Sequence, residues 1–372
     1  MKVLISTDAV GSVFGYTREL AVELNAQGVE VVVATMGARL RRDQREQLPG
    51  RVHESGYRLE WMDDPWDEVA AAGRWLLALE EEEQPDIVHL SSYSHAALPF
   101  KAAKVLAAHT SVLAWWRAVH GAEAPREWDH YREQMAAGLD GADAVVVPTA
   151  AMLRELEHDH ELRPQAVTVI HAGSSTPLAP AGVEKRPLVL GSERLWDPAR
   201  RLETLDLAAA NLAWPVTVAG ELGPMSKVHH AESTGALAPA ALAELRRSAS
   251  IFVSPTVYEP SGLGIIEAAR DRCALVLGYT PSLRELWSGS AIFIQPDDEH
   301  ALHEVLKTLI DTPRLRNELA RLAQDRATEL SIHRTARSYR ELYGQLAGDT
   351  STEVKRPNSA AAVRPLVRAG YR

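Results

Sequence analysis

Two carboxylates, Glu259 and Glu267, stand either side of a Ser-Gly-Leu-Gly turn in the stretch YEPSGLGIIEAARDRCALVLG (258–278). An apolar strand-like run, SIFVSP (250–255), leads into them, and IIEAARD reads as a helix. In the turn, made by Ser261, Gly262, Leu263 and Gly264, the glycines let backbone N–H groups close on an anion. A helix start adds unpaired amides and a partial positive charge, which together form a phosphate site. Glu267, one to two turns into the helix, is placed to hold a ribose diol beside bound phosphates. Glu259, ahead of the turn, is placed to meet a sugar's hydroxyls on the other side. The helix dipole alone favours one acid near a helix start. The argument for a site rests on both acids and both glycines together.

The stretch GSERLWDPARRLETL (191–205) follows another apolar run and carries Arg194 and Arg200, six apart. A nucleoside diphosphate needs fixed cations, and arginine offers a planar fork for phosphate oxygens. A third stretch, STDAVGSVFGYTREL (6–20), has Gly11 and Gly15 between a strand and a helix. It lacks the G-x-G-x-x-G spacing of a dinucleotide site. Gly11, nearer the strand end, is the better candidate for contact with a ligand. His109 ends the run KVLAAHT, at the edge where sites in such sheets form, and His89 in DIVHLSS is a candidate for lining an acceptor pocket. His120 has no assignment. No metal site is expected. Asp63–Asp64 and Asp297–Asp298 lack a D-x-D form, and no Cys/His spacing suggests zinc. Two arginines and a helix N-terminus can neutralise a departing diphosphate instead.

These residues need elements to hold them. In the first half, KVLIS (2–6), VEVVVAT (29–35), PDIVHLS (85–91), KVLAAHT (104–110), DAVVVPT (143–149) and AVTVIHA (166–172) alternate with stretches of helical spacing. The pattern restarts with PLVLGS (187–192), PVTVAG (215–220), SIFVSP, CALVLG (273–278) and AIFIQP (291–296). Continuous apolar strands between helices predict parallel sheets covered on both faces. The aperiodic AGSSTPLAPAGVEKRP (172–187) reads as a linker. The expected architecture is α/β, with two doubly wound Rossmann-like domains facing a central cleft: 1–175, then 188–330, then a helix at 331–347 packing back on the first domain, and a mobile tail at 348–372.

Composition agrees. The chain has 372 residues, 46% hydrophobic and 24% charged, with a formal net charge of −10. That length suits two domains. The charge argues against a nucleic-acid partner. The one cysteine, Cys273, excludes a disulfide framework, and the start of the chain reads as a strand rather than a signal peptide, so a cytoplasmic setting is expected. Arg39, Arg41, Arg42 and Arg45 form a basic stretch, but Asp43 and Glu46 interrupt it. It reads as a solvated face, and membrane contact is not expected.

The stretch EPSGLGIIE (259–267) resembles the E-x7-E motif of family-4 retaining glycosyltransferases of the GT-B fold, and the similarity extends over nearly all of 1–345. The resemblance implies that Glu259 contacts the donor sugar, Glu267 the nucleotide ribose, and the turn amides at Leu263 and Gly264 the distal phosphate. It implies a cation pair in which Arg194 fills the first place and Arg200 the second. The family usually carries lysine there, and Arg201 is a rival for the position. It also implies that the loop at Gly11 reaches the donor phosphates or the acceptor, and that His109 approaches the transferring sugar. The expected function is metal-independent, retaining transfer of a hexose from a nucleotide-diphosphate sugar, with no cofactor. The acceptor is left open among saccharide, lipid and small molecule. Base recognition is expected near 221–237 and acceptor choice near 39–66 and 109–130. Alternatives are a nucleotide-sugar 2-epimerase of the same architecture and a non-catalytic nucleotide-sugar binding protein.

Overall fold

A computed structural model describes residues 1–10, 12–162, 167–192, 194–223 and 226–348. Among these, the first sheet comprises β1 (Lys2–Asp8), β2 (Glu30–Met36), β3 (Arg51–Glu54), β4 (Ile87–Leu90), β5 (Ala103–Ala107), β6 (Ala144–Val147) and β7 (Val167–Val169). The second comprises β8 (Arg186–Ser192), β9 (Val216–Ala219), β10 (Glu232–Gly235), β11 (Ala249–Ser254), β12 (Ala274–Gly278) and β13 (Ile292–Ile294). Helices α1 (Ser12–Ala26), α2 (Arg42–Glu46), α3 (Trp66–Glu83), α4 (Tyr93–Ala96), α5 (Val112–His120), α6 (Asp129–Gly141) and α7 (Ala150–Asp159) accompany the first sheet. Helices α8 (Leu202–Ala208), α9 (Pro239–Ser248), α10 (Leu263–Arg270), α11 (Pro281–Trp287), α12 (Glu299–Asp311), α13 (Pro313–Ala327) and α14 (Ile332–Leu346) follow.

The strand orders are β3-β2-β1-β4-β5-β6-β7 and β10-β9-β8-β11-β12-β13. All neighbours pair in parallel. The expected α/β fold with two doubly wound sheets is what forms. In each sheet the order reverses beside its first strand, β1 or β8. The crevice outside the strand ends at such a point is where ligands bind in this architecture. The ends of β8 and β11 lead into the stretches carrying Arg194–Arg200 and Glu259–Gly264, so the second domain's reversal places both candidate loops side by side.

The strands read as unbroken apolar runs because both faces are covered. Val3 and Ile5 of β1 face one core cluster and Leu4 faces another. In the second domain Leu188, Leu190 and Phe252 face the first of these, whereas Val189, Ile251 and Val253 face a third. One core thus runs through both domains. Tyr339 and Tyr343 of α14 are buried in it. The helix returns to the first domain and lies along α1, where His333 Nδ1 meets Glu23 at 2.8 Å and Gln27 Nε2 donates to the His333 carbonyl at 3.2 Å.

Two strands had no counterpart in the sequence reading, β3 (RVHE) and β10 (ESTG). Both are edge strands of polar, partly exposed residues, so they carry no apolar run to read. Strand β8 begins at Arg186, inside the expected linker, because Ala249 of β11 pairs with it. The basic stretch before and along α2 is exposed and internally paired, Arg41 with Asp43 and Arg42 with Glu46.

Candidate functional site

Glu259 sits in the turn that opens α10. Gly262, with φ of +67°, is the helix N-cap, in a left-handed conformation that a side chain resists. Its amide donates to Glu259 Oε1 at 2.8 Å, while Arg200 Nη1 donates to Oε2 at 2.5 Å. Ser282 Oγ holds the Glu259 carbonyl at 2.7 Å. The carboxylate is buried, and burial alone would raise its pKa. The charges of Arg200 and Arg194, with the Gly262 amide, outweigh burial and hold it at about 2.

Arg200 closes a short 3-10 helix, Pro198–Arg200, which Asp197 caps through the Ala199 amide at 2.9 Å. The Ala199 carbonyl then accepts from Thr256 Oγ1 at 2.8 Å and from the Val257 amide at 2.9 Å. These bonds fasten the arginine loop to the glutamate loop. They explain how residues 59 positions apart, Arg200 and Glu259, form an ion pair with both side chains almost fully buried. Arg194 is half-buried, close enough for its charge to act on Glu259, and its Nε has no hydrogen-bond partner among the described residues. Arg201 turns away. Its backbone is left-handed (φ +50°), and its Nε lies 2.6 Å from Asp297 Oδ1.

Leu263 and Gly264 form the first turn of α10, whose amides are the donors a helix start leaves for an anion. Glu267 lies a turn further on and pairs with Arg246 Nη1 at 2.6 Å; Arg246 Nε also holds Asp271 at 2.7 Å. Sequence reading missed Arg246 on α9, because nothing in its local pattern sets it apart from a surface arginine.

His109 lies just beyond β5, half-buried and edge-on to Tyr16, with ring centroids 4.7 Å apart. With Ser261 it lines a gap of about 10 Å³, room for roughly one water. Its Nε2 has no hydrogen-bond partner among the described residues. Burial pulls its pKa down to about 4. His89 is not in an acceptor pocket. It shares with Ile87 the face of β4 that α14 covers, bonds Tyr343 Oη through Nδ1 at 2.5 Å, and is brought to about 3 by burial and by His109. His120 ends α5, exposed, with its ring 4.3 Å from that of Trp116. Gly11, residues 224–225 of the expected base-recognition loop and the tail at 349–372 lie outside the described residues.

Three contacts across the cleft were not legible in the sequence. Tyr258 Oη bonds the Ser111 amide at 3.0 Å and Thr110 Oγ1 at 3.3 Å. Trp115 Nε1 donates to Asp197 Oδ1 at 3.0 Å. Glu285 of α11 accepts from the first amides of α7, Ala150 at 2.8 Å and Ala151 at 2.9 Å. Between α5 and α7 on one side and residues 257–260 and 280–282 on the other lies a cavity of about 280 Å³. Among the described residues two acid–histidine groups, His53–Glu82–Glu83 and Glu123–His158–Asp159, have the spacing for an ion, but neither includes a residue of the arginine or glutamate loops. In the first, Glu83 is already held by Lys2, Arg51 and His53, and in the second Arg117 reaches both Glu123 and Asp159.

Two Rossmann-like domains meeting at a cleft, with the Arg200–Glu259 pair and the start of α10 at the second domain's reversal point, define a GT-B protein. Residues 14–176 match the family model described as Glycosyltransferase Family 4, and with the fold this bears out the resemblance to family-4 glycosyltransferases and supports that enzyme class. Among solved structures, the chain is similar to sucrose-phosphate synthase from Thermosynechococcus elongatus (16% identity, 94% of this chain and 100% of that one, TM-score 0.75). It is similar also to HepE from Anabaena, solved with UDP-glucose (14%, 93% and 100%, TM-score 0.72). A third is WaaG, a glycosyltransferase involved in lipopolysaccharide biosynthesis (15%, 94% and 100%, TM-score 0.69). At these identities the likeness is one of fold. No curated protein matches the sequence. No described helix is long and apolar enough to cross a membrane.

Proposed function

We propose that this protein transfers a hexose from a nucleotide-diphosphate sugar to an acceptor hydroxyl with retention of anomeric configuration, without a metal ion and in the cytoplasm. One observation carries the reading: the Arg200–Glu259 pair, beside Arg194, at the start of α10. The diphosphate sits against Arg194, Arg200 and the amides of Leu263 and Gly264. Their fixed positive charge stabilises the leaving group as its charge develops, which is where electrostatic preorganisation acts most. Glu259, ionised through its arginines, accepts hydroxyl protons of the donor sugar and opposes the positive charge growing at the anomeric carbon. Glu267 takes the ribose, and Arg246 fixes its carboxylate. His109, neutral at working pH, offers a sugar hydroxyl one donor and one acceptor. Retention follows if the acceptor enters on the face the diphosphate leaves, where a departing phosphate oxygen can take the acceptor's proton.

Because HepE was solved with UDP-glucose, that is the first donor to try. Thermal-shift measurements with UDP, GDP, ADP and dTDP identify the base, since a ligand bound only by the folded chain raises its melting temperature. Product analysis by NMR then reads the anomeric configuration, with and without EDTA. No shift with any nucleotide removes the proposal. An inverted product removes retention, and turnover lost to EDTA and restored by magnesium or manganese removes metal independence.

A further inference from the structure

The cavity between the domains has walls of different chemistry. Arg117, Ala118, Met152 and Glu155 line it from α5 and α7, and Glu259 and Pro260 from the second domain. Arg194, Arg200, Leu263 and Gly264 take no part in the lining. Glu259 is the residue that the cavity and the cationic pocket share: it lines the cavity, and its carboxylate takes Arg200. At about 280 Å³ the cavity falls at the lower edge of ligand sites, roughly 300–1,000 Å³, and suits one ring rather than a chain.

Its charge is the informative part. Among the described residues Arg117 is the one basic residue of the lining, and it is already engaged, with Asp159 at 2.5 Å, Glu155 at 2.9 Å and Glu123 at 3.4 Å. Three carboxylates around one guanidinium leave the first-domain wall acidic. Glu259 on the opposite wall is ionised as well, its charge met by Arg200 at 2.5 Å. A phosphorylated ligand would bring its charge against the Glu155 wall, with no further cation among the described lining residues to meet it. A hydroxylated neutral ligand has O–H donors for Glu155 and Glu259, and C–H faces for Ala118, Met152 and Pro260.

We propose that this cavity is the acceptor subsite and that it takes a neutral, single-ring polyhydroxylated acceptor, discriminating against phosphorylated sugars. The proposal rests on the transferase reading above, which places the donor sugar at Glu259, next to this cavity. The test uses the full chain and two independent arms. Saturation-transfer NMR with methyl glucoside, and separately with glucose 6-phosphate, reads the cavity. Calorimetry with UDP reads the donor side. Methyl glucoside is expected to bind the wild type and glucose 6-phosphate not. Ala118→Trp, which fills the cavity from α5, should abolish methyl glucoside binding and leave the UDP Kd within about twofold, while Glu155→Gln, which loses a charged acceptor, should weaken methyl glucoside roughly tenfold. Circular dichroism checks each fold, and Met152→Phe fills the same space from α7 if Ala118→Trp does not fold. The assignment falls if methyl glucoside does not bind the wild type, if glucose 6-phosphate binds as well, or if the filled variants bind unchanged. Absent UDP binding, by contrast, counts against the proposed donor and leaves the sugar arm readable.

Discussion

The indole N–H of Trp115 donates across the cleft to Asp197 Oδ1, the same oxygen that caps the Ala199 amide. A first-domain side chain thus reaches the loop carrying Arg194 and Arg200. Four residues earlier, the Ser111 amide bonds Tyr258, the neighbour of Glu259. Both loops of the candidate donor site are tied to the start of α5, so closing the domains and ordering these loops are coupled. Trp115→Phe keeps an aromatic ring, though a smaller one, and removes the donor. Losing a hydrogen bond to a charged group costs about 1.5–3 kcal/mol, reduced here by partial exposure, so kcat should fall on the order of tenfold. The UDP Kd should change far less, because the nucleotide contacts proposed above belong to the second domain. Steady-state kinetics beside calorimetry separates the two, and equal losses in both would show that Trp115 acts on binding rather than on the assembled site.

Glu259 and Glu267 should separate by their readouts. Glu259→Gln keeps an oxygen for the Gly262 amide but removes the charge opposite Arg200 and the sugar. Turnover should drop about 10²–10³-fold, the size seen when one charge-stabilising group is lost. Glu267→Ala should instead weaken UDP binding, with a smaller effect on kcat once UDP-glucose saturates. Similar losses of UDP affinity in both variants would overturn this division of roles.

Glu285 joins the domains at a helix end. Its two oxygens satisfy the Ala150 and Ala151 amides and oppose the α7 dipole, while Thr149 Oγ1 accepts from Met152 N at 3.1 Å. Caps of this kind contribute about 0.5–2 kcal/mol. Glu285→Ala should shift the population toward a more open cleft, seen as a larger radius of gyration in small-angle scattering without UDP, and UDP should partly reverse it. An unchanged radius would mean that other contacts set the closed arrangement.

Buried histidines give the acid limb of stability. His89 and His109 ordinarily titrate at 6.5, and burial brings them to about 3 and about 4. Their folded form is neutral, so the unfolded chain takes up more protons below pH 6.5. Stability is full above that value and falls with pH by about 1.4 kcal/mol per unit for each histidine. His95, also lowered chiefly by burial, acts in the same sense. The contribution of Glu259 is present above 4.5 and lost as pH falls toward 2, below most of this window. Urea unfolding at pH 7, 6 and 5 should show the fall, and His89→Phe should flatten it by about one histidine's slope. Parallel profiles for wild type and variant would exclude His89 as a source.

The sequence by itself determined what repeats locally. Apolar runs covered on both faces announced the parallel strands, and the glycines between Glu259 and Glu267 announced the start of α10. A strand's two faces and a helix's first turn are set by neighbours along the chain, so they can be read there. Short polar edge strands β3 and β10 leave no such trace. Nor do the partners. That Arg200 meets Glu259, that Arg246 takes Glu267, that His89 turns to Tyr343, and that Trp115 and Glu285 cross the cleft depend on which loops the two sheets bring together. Those pairings join residues between 21 and 254 positions apart, at distances no periodicity encodes. Only the packing of the two reversal points, over one shared core, decides them.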